Sequence, residues 1–354
     1  MTPDRIVITG DVLRPPLGAQ DDNIDWMLKV LGPSLSRATG LPVSTLRSDL
    51  VADRISDIYS SLGCSFTTEN WAAITDADPT DCLLDRLAGL LRGALVLSFE
   101  CPLILTKSCR KLDVPLIEIL VHPIRYYYDL LLCFRPDLPS IHQEMARNRI
   151  AYSELIRAAA TIRRNLAGQF SPDSRFSVIT AQVPWDRSVI HRQRFARLSD
   201  FQGDIEALAS RSERVFIKPH PDIGVPEELR VWAAQNNTPV VLSNFYEIVS
   251  APQVTEILSL SSSTLEEARA FGVRATRLLP CTYQYCYAEE PAALSQFIPV
   301  YRQFTQPAFW SHSLSGFLQT KPCEWNREGV AVALRESRGV SWDWRPDFLR
   351  SDDH

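Results

Sequence analysis

Apolar and polar residues follow two alternating patterns along this chain. Short continuous apolar runs, such as residues 94–99 and 116–121, have the length of strands that are buried on both faces. Other stretches place leucines at helical spacing, as residues 81–91 do with Leu83, Leu87 and Leu90. Strands that alternate with helices in this way predict βαβ units and parallel sheets, which is an α/β fold.

The same patterns predict the individual elements. In the first half we expect a strand at residues 5–9, a helix at 23–31 that Gly32-Pro33 ends, and one long helix from about 140 to 166. In the second half we expect strands at 176–180, 214–218, 240–242, 254–260 and 273–279, and helices at 205–210, 227–235 and 265–271. Residues 292–318 and 326–336 are predicted to be helical.

A chain of 354 residues is longer than one hydrophobic core usually organises. The two series of strands and helices predict two doubly wound domains, residues 1–170 and 171–290, with the boundary in the stretch 169–174. The helical tail, residues 291–354, is expected to pack back on the first domain. Ligands of such folds bind at the carboxyl ends of the strands, here in a cleft between the domains.

The charge balance and the cysteines exclude several classes of function. Asp and Glu (42) outnumber Lys and Arg (37), which gives a net charge of −5, whereas nucleic-acid binding usually needs a basic face. The eight cysteines form no C-x-x-C pair, so we expect reduced thiols and no structural metal. Residues 1–14 lack the apolar core of a signal peptide, and no apolar run approaches the roughly 18 residues of a spanning helix. We expect a cytoplasmic protein.

A first polar motif, Lys218-Pro219-His220-Pro221, stands at the end of a predicted strand. Its two prolines fix the backbone where the chain leaves the sheet, so the histidine is held at the edge where ligands bind. His220 can donate to a phosphate there, and Lys218 adds positive charge. The alternative is a stiff loop whose histidine only caps a neighbouring group.

A second polar motif, Ser261-Ser262-Ser263-Thr264, follows the predicted strand at 254–260. The start of the next helix favours an anion, and Ser261 and Ser262 can supply hydroxyl donors. Ser263 with Glu266 fits the capping-box pattern, so a plain helix cap is the alternative. The two motifs together indicate a nucleotide site.

Two carboxylates also follow predicted strands. Asp186 lies in the segment 181–188, just past the strand at 176–180, and Glu100 ends the apolar run at 94–99. Two carboxylates that flank a glycosidic bond are the usual apparatus for sugar transfer. The alternatives are a surface turn made by Asp186 and Arg187, and a helix-terminal role for Glu100.

The segment His122-Pro123-Ile124-Arg125, followed by three tyrosines, comes after the predicted strand at 116–121. Arg125 offers a planar fork that suits a sugar carboxylate or a phosphate, whereas the tyrosines are more typical of packing. The sequence lacks G-x-S-x-G, G-x-x-x-x-G-K-[ST] and a strand-linked G-x-G-x-x-G. Hydrolase, kinase and dehydrogenase functions are therefore disfavoured.

Seven segments resemble a known family in their order along the chain. The sequence is similar to the bacterial retaining β-Kdo glycosyltransferases of capsule and O-antigen synthesis, within the capsular polysaccharide transferase group. The segments that carry this resemblance are GDVLR (10–14), FECP (99–102), HPIRYYYDLL (122–131), QVPWDRSVI (182–190), KPHP (218–221), SSSTLEEARAFG (261–272) and FW (309–310).

The resemblance implies a GT-B fold, which has two Rossmann-like domains, and CMP-β-Kdo as the donor, with no cofactor and no metal required. It also implies retention by double displacement. On this basis Asp186 is the nucleophile that forms a covalent Kdo adduct, and Glu100 is the acid/base that activates the acceptor hydroxyl. Trp185 beside the aspartate departs from the family pattern, which leaves the identity of the sugar or the acceptor open.

The resemblance also implies binding roles. The acceptor is expected to be a lipid-linked glycan, with peripheral association at the inner face of the inner membrane or with other transferase modules. The CMP moiety is expected to contact Gln182, Lys218, His220, Pro221, Ser261, Ser262, Ser263 and Glu266, and the sugar carboxylate or the acceptor is expected to contact Arg125, His122 and Arg187.

Two other functions remain open from the sequence. An inverting transferase of the CMP-sialic-acid type would use Asp186 as a base that activates the acceptor. A catalytically silent module of a polysaccharide assembly complex would bind a sugar nucleotide without transferring it.

Overall fold

The computed structural model describes residues 2–221, 223–281, 283–326, 334–339 and 343–349. Within these residues the strands are β1 (Arg5–Thr9), β2 (Val43–Thr45), β3 (Ala94–Phe99), β4 (Leu116–Val121), β5 (Leu132–Pro136), β6 (Phe176–Thr180), β7 (Ile190–His191), β8 (Arg194–Phe195), β9 (Arg214–Lys218), β10 (Val254–Ser259), β11 (Arg274–Arg277) and β12 (Ile298–Val300).

The α-helices of the same residues are α1 (Asp21–Thr39), α2 (Asp49–Ala52), α3 (Ile55–Ser61), α4 (Thr68–Ile74), α5 (Asp81–Leu91), α6 (Leu103–Lys111), α7 (Pro139–Ala146), α8 (Tyr152–Asn165), α9 (Gln202–Arg211), α10 (Glu227–Gln235), α11 (Phe245–Ser250), α12 (Thr264–Ala270), α13 (Pro307–Leu314) and α14 (Leu334–Arg338). Short 3-10 helices are Arg187–Val189, Leu198–Phe201, Gln303–Thr305 and Pro346–Leu349.

The chain divides into two compact units, and each unit is built from more than one segment. The first unit comprises Met1–His122, Leu130–Ala151 and Tyr283–Gly339, and the second comprises Pro123–Asp129, Tyr152–Thr282 and Val340–His354. Helix α8, which the sequence places in residues 1–170, therefore belongs to the second unit. Of the expected tail, the described part up to residue 339 belongs to the first unit and residues 343–349 belong to the second.

The first unit contains a sheet of six strands in the order β12-β5-β4-β3-β1-β2. Strands β1 to β4 pair in parallel, whereas β5 runs antiparallel to both β4 and β12. Every residue of β3 is buried, since the sheet is covered on both faces, and this explains its continuous apolar run.

The second unit contains a parallel sheet of four strands in the order β11-β10-β6-β9. Ile179, Ile217 and Leu258 on three of these strands are fully buried and belong to one apolar cluster with residues of the covering helices. The α/β class with largely parallel sheets is therefore confirmed. The predicted strands at 94–99, 116–121, 176–180 and 214–218 are also confirmed.

Helix α1 is longer than the sequence predicts. Gly32-Pro33 does not end the helix, which runs through Pro33 to Thr39. A proline within a helix removes one backbone hydrogen bond. Here Leu35 and Ala38, beyond the proline, are fully buried, and the helix packs against α13. We attribute the continued helix to this burial, which outweighs the missing bond.

Two predicted helices are interrupted by pairing with β12. The expected long helix at 140–166 consists of α7 and α8, because the backbone between them turns to the sheet: Ile150 N donates to Pro299 O (2.9 Å), and Arg149 forms a bridge with Val300. The expected helical stretch 292–318 contains β12 itself before α13.

The predicted strand at 240–242 is also wrong, since only Val240 forms a bridge with the sheet. Of the predicted helix at 326–336, residues 327–333 lie outside the described residues.

Candidate functional site

The parallel sheet of the second unit has a topological switch point between β6 and β10. These strands are neighbours, but the chain passes from β6 to β9 on one side and from β10 to β11 on the other. Loops that leave neighbouring strands in opposite directions open a crevice at the carboxyl ends of the strands. The segment with Asp186 follows β6, and Ser261 to Ser263 follow β10, so the topology brings these two predicted motifs to one crevice.

The side chain of Gln182 connects the two loops. Its Oε1 accepts hydrogen bonds from Ser261 N (2.8 Å) and Ser259 Oγ (3.2 Å). Its Nε2 donates to Ser261 Oγ (3.1 Å) and Ser188 Oγ (3.3 Å). Gln182, which the resemblance assigns to CMP, thus contacts protein groups of both loops with its amide.

Asp186 lies at the start of the 3-10 helix Arg187–Val189. Its Oδ1 accepts a hydrogen bond from Ser188 N at 2.8 Å, which satisfies one of the backbone donors at the helix start. The side chains of Asp186 and Arg187 are half-buried, whereas Trp185 is 55% exposed. The aspartate is therefore held by its own turn and remains accessible to solvent. The surface turn that the sequence allows is therefore present, and it leaves the carboxylate of Asp186 partly exposed.

The serines after β10 are held differently from the expectation. Ser263 precedes α12, but among the described residues its side chain makes no capping hydrogen bond, so the capping box with Glu266 is wrong. Instead Ser262 Oγ accepts from Thr264 N (3.3 Å) and from Thr264 Oγ1 (2.9 Å). Thr264 Oγ1 also lies 3.0 Å from Thr180 Oγ1, at the end of β6. A second polar link therefore crosses the switch point.

Glu266 is engaged by two arginines. Its Oε1 accepts from Arg277 Nη2 (2.9 Å) and from Arg269 Nη1 (2.5 Å). Arg277 also donates to Ser261 O (3.1 Å), so this largely buried arginine at the end of β11 joins the serine loop to the helix behind it. The sequence gives no signal for Arg277, because this residue lies inside the predicted strand at 273–279, whereas β11 ends at Arg277 in the structure.

Lys218 and His220 follow β9. Lys218 is buried, and its Nζ lies 3.3 Å from Asp343 Oδ2. His220 is half-buried and begins a tight loop with Pro221. Two backbone hydrogen bonds close this loop: His220 N donates to Gly224 O (2.9 Å), and Gly224 N donates to His220 O (2.8 Å). Gly224 has a φ of +73°, a conformation that side chains rarely adopt, and this favours glycine at the loop's end. These two hydrogen bonds hold the backbone of His220 against that of Gly224.

The residues expected near the sugar carboxylate fall in different units. His122 is fully buried in the first unit, where its Nε2 lies 3.0 Å from Tyr287 Oη and its ring contacts the edge of Tyr285. Arg125 is half-buried in the second unit, and its backbone N donates to Glu267 Oε1 at 2.8 Å. The structure therefore does not bring His122 and Arg125 together within one unit.

The tyrosines after Arg125 belong mostly to packing, as the sequence analysis favours. Tyr126 is fully buried, its hydroxyl donates to Leu155 O (3.1 Å), and its ring makes an edge contact with Phe271. Tyr127 donates to Glu154 Oε2 (3.1 Å), whereas Tyr128 is 57% exposed.

The sheet of the first unit has its own switch point, between β1 and β3. The chain passes from β1 to β2 on one side and from β3 to β4 on the other. Gly10 and Glu100 follow these strands, and a Cβ on Gly10 would lie 3.3 Å from Phe99 O. Glu100, which is half-buried, has a φ of +49°, and its N donates to Ile119 O at 2.7 Å. Backbone strain of this kind is concentrated at functional positions.

Asp11, the residue after Gly10, is a buried carboxylate that the sequence analysis did not single out. Its Oδ2 accepts from Trp71 Nε1 (2.8 Å), and its Oδ1 accepts from Leu13 N (3.2 Å). Burial and the charge of Asp11 raise the pKa of Tyr59, whose hydroxyl donates to Leu13 O. The guanidinium of Arg14 lies 4.5 Å from the centre of the Trp71 ring. Asp11 therefore fixes the loop after β1.

Neither a cluster of metal ligands nor a membrane-spanning helix occurs in residues 2–221, 223–281, 283–326, 334–339 and 343–349. No group of three or more His, Cys, Asp or Glu side chains in these ranges is arranged to hold a metal ion. Within the same ranges, no helix is both long enough and apolar enough to cross a membrane.

Comparison with known proteins gives structural similarities alone. No protein-family model matches this sequence. No curated protein matches it. Two solved structures from Thermosulfurimonas dismutans are similar: KpsC, beta Kdo 2,7 transferase, at 15% identity and a TM-score of 0.41, and KpsC, beta Kdo 2,4 transferase, at 14% and 0.39. Each similarity covers 77% of this chain and 79% of the other.

Proposed function

We propose that the protein is a glycosyltransferase that moves Kdo from CMP-β-Kdo to a glycan acceptor with retention. The observation that carries this proposal is the crevice between β6 and β10, where the Asp186 loop and the serine loop are joined by hydrogen bonds of 2.8 to 3.3 Å through Gln182. A carboxylate and several hydroxyls at a switch point suit a sugar nucleotide, since the hydroxyls can bind phosphate and the carboxylate can react with the sugar. The resemblance of the sequence motifs supplies the donor.

The proposed reaction has two displacements. The carboxylate of Asp186 attacks the anomeric carbon of Kdo, the bond from that carbon to the phosphate oxygen breaks, and CMP leaves. The acceptor hydroxyl then attacks the same carbon, its proton passes to the carboxylate of Glu100, and the bond to Asp186 breaks. Two inversions give net retention. The proposed chemistry requires no metal ion or cofactor.

The remaining parts of the site have proposed binding roles. Ser262, Ser263 and His220 hold the CMP phosphate, and Arg125 pairs with the Kdo carboxylate. The proposal includes a GT-B fold, in which the two units provide the two Rossmann-like domains. It also includes a lipid-linked acceptor, so the transfer would take place at the inner face of the inner membrane.

Intact-protein mass spectrometry after incubation with CMP-β-Kdo, generated in situ, tests the proposal. We expect a mass increase of one Kdo residue in the wild type and in Asp204→Asn, and none in Asp186→Asn. Asp204 is an exposed aspartate in the first turn of α9, so its substitution controls for the loss of a carboxylate.

Other results would lead to the other functions. A product of inverted anomeric configuration would exclude double displacement. Protection against heat by CMP without an adduct would point to a different CMP-sugar, to the inverting mechanism or to the silent module. No effect of CMP would exclude a CMP-sugar as the ligand of this site.

A further inference from the structure

We propose that Gln182 is a positioning residue, which fixes the Asp186 loop against the serine loop and does not contact the donor. This inference rests on the proposed function of the same site. It replaces the role of a CMP-binding residue that the sequence resemblance implies for Gln182.

The hydrogen-bonding capacity of the Gln182 amide is taken up by protein groups. Its oxygen accepts from Ser261 N at 2.8 Å and from Ser259 Oγ at 3.2 Å, which uses both lone pairs. Its nitrogen donates to Ser261 Oγ at 3.1 Å and to Ser188 Oγ at 3.3 Å, which uses both hydrogens. A ligand would have to displace one of these partners.

The orientation of the amide is also determined. Ser261 N is a donor only, so it requires the oxygen of Gln182 on its side. A flipped amide would place two N–H donors against each other. The nitrogen therefore points to Ser188, and the link between the loops has one geometry.

Ser188 connects this link to the carboxylate. Ser188 O accepts from Ser261 Oγ at 2.6 Å, and Ser188 N donates to Asp186 Oδ1 at 2.8 Å. Gln182 and Ser261 thus position Ser188, and the backbone N of Ser188 positions the carboxylate of Asp186. Since the strand ladder ends before these loops, side chains such as Gln182 must set the distance between the carboxylate and the serines.

The kinetics of Gln182→Ala test the inference, with Gln253→Ala as the matched control. Gln253 is a half-buried glutamine of the same unit. It directly precedes β10, so it lies at the amino ends of the strands and away from the crevice. We expect Gln182→Ala to lower kcat roughly 10- to 100-fold, because misplacement of a reacting group by about 1 Å has effects of this size. KM for CMP-β-Kdo should change by less than about threefold, since no donor contact is lost. Gln253→Ala should leave both values unchanged.

Hydrogen exchange of the Ser188 amide provides a readout without activity. Loss of the Gln182 link should speed this exchange in Gln182→Ala and leave it unchanged in Gln253→Ala. Gln182→Glu keeps an acceptor for Ser261 N, and the Ser188 hydroxyl can rotate to donate to the second carboxylate oxygen. Ser261 Oγ loses its donor, because its own hydrogen goes to Ser188 O, so we expect an intermediate kcat. If Gln182→Ala does not fold, the same kinetic and exchange measurements are made on Gln182→Glu.

Two results would overturn the inference and one would overturn only the proposed function. An increase in KM with unchanged kcat would show that Gln182 contacts the donor. Unchanged exchange at Ser188 would show that no link exists. A wild-type protein that transfers nothing from CMP-β-Kdo, but whose Ser188 exchange still depends on Gln182, would refute the proposed reaction and retain the positioning link.

Discussion

Lys218 and Asp343 form an ion pair in the second unit, with 3.3 Å between Nζ and Oδ2. The lysine is the buried final residue of β9, and the same Oδ2 accepts from Phe245 N (3.3 Å) at the start of α11. The lysine that the sequence motif assigns to the donor phosphate thus already has a carboxylate partner. An anion that binds at Lys218 has to share its charge with Asp343.

Asp343→Asn should therefore strengthen the binding of CMP. The substitution removes the negative charge and keeps an oxygen that can accept from Phe245 N. We expect the Kd for CMP to fall about three- to tenfold, which corresponds to roughly 1 kcal/mol. Isothermal titration calorimetry measures the effect, with Asp347→Asn, an exposed aspartate of the same segment, as the control. Equal or weaker binding by Asp343→Asn would show that Lys218 does not bind the phosphate.

Glu267 should be the most sensitive carboxylate of α12 for stability. It is 3% exposed, and its Oε1 accepts from Arg125 N and Tyr246 Oη, both at 2.8 Å. Glu267→Ala leaves two donors without this acceptor, which should lower the free energy of unfolding by about 2–3 kcal/mol. Glu267→Gln keeps one oxygen and should cost about 1 kcal/mol. Urea denaturation measures both, and an effect no larger than that of the exposed Glu227→Gln would contradict the assignment.

The sequence predicts strands well where burial is complete. Residues 94–99 are apolar throughout and form β3 with the predicted bounds, because a strand covered on both faces shows an unambiguous pattern. Helix ends are predicted less well. Pro33 is a local stop signal, but the burial of Leu35 and Ala38 is a tertiary effect that no local pattern contains.

The sequence predicts the positions of the candidate residues at strand ends better than it predicts their hydrogen-bond partners. Polar residues at strand ends identify the Asp186 and serine loops, because the carboxyl ends of parallel strands meet at one edge. The capping box failed, since Glu266 pairs with Arg277, a residue that only the register of β11 against β10 brings near. Asp343 likewise reaches Lys218 from a distant segment.

Arg211 should govern a pH-dependent part of the stability. Glu256 is almost fully buried, and Arg211 donates to both of its oxygens, at 2.9 and 3.2 Å. Burial opposes the charge of Glu256, but the bonds from Arg211 and Thr276 prevail and lower its pKa. Because the native state then binds fewer protons than the unfolded state, this stabilisation is complete above the ordinary pKa of about 4.3 and is lost as the pH falls through the lowered native value.

Arg211→Met should cost about 2 kcal/mol at pH 7 and reduce the loss of stability in acid, because burial, which raises the pKa of Glu256, is then opposed only by Thr276 and Arg274. Denaturation in urea at about pH 7 and about pH 3 measures both effects, since the lower value lies well below the ordinary pKa of glutamate. An equal decrease in wild type and variant between these values would show that another carboxylate is responsible.

Glu100→Gly should stabilise the protein while it abolishes transfer. Glu100 has a φ of +49°, and relief of this conformation should contribute about 1–2 kcal/mol. The greater freedom of glycine in the unfolded chain offsets about 0.4–1 kcal/mol of this gain. We therefore expect a net increase of about 0.5–1 kcal/mol in the free energy of unfolding. Glu100→Gln, which keeps the strained backbone, should lose transfer without the gain in stability.

Asp113→Gly is the matched control for the expected gain in stability with loss of transfer in Glu100→Gly. Asp113 has a similar φ of +53° in the same unit, but it lies in an exposed turn after α6. The Asp113→Gly variant should be more stable than the wild type and should retain full transfer. Its gain in stability should be smaller than that of Glu100→Gly, because aspartate tolerates a positive φ better than glutamate does. Chemical denaturation and product formation on the same samples separate the two substitutions. If Glu100→Gly still transfers Kdo, the strain at Glu100 belongs to the fold and the acid/base is a different residue.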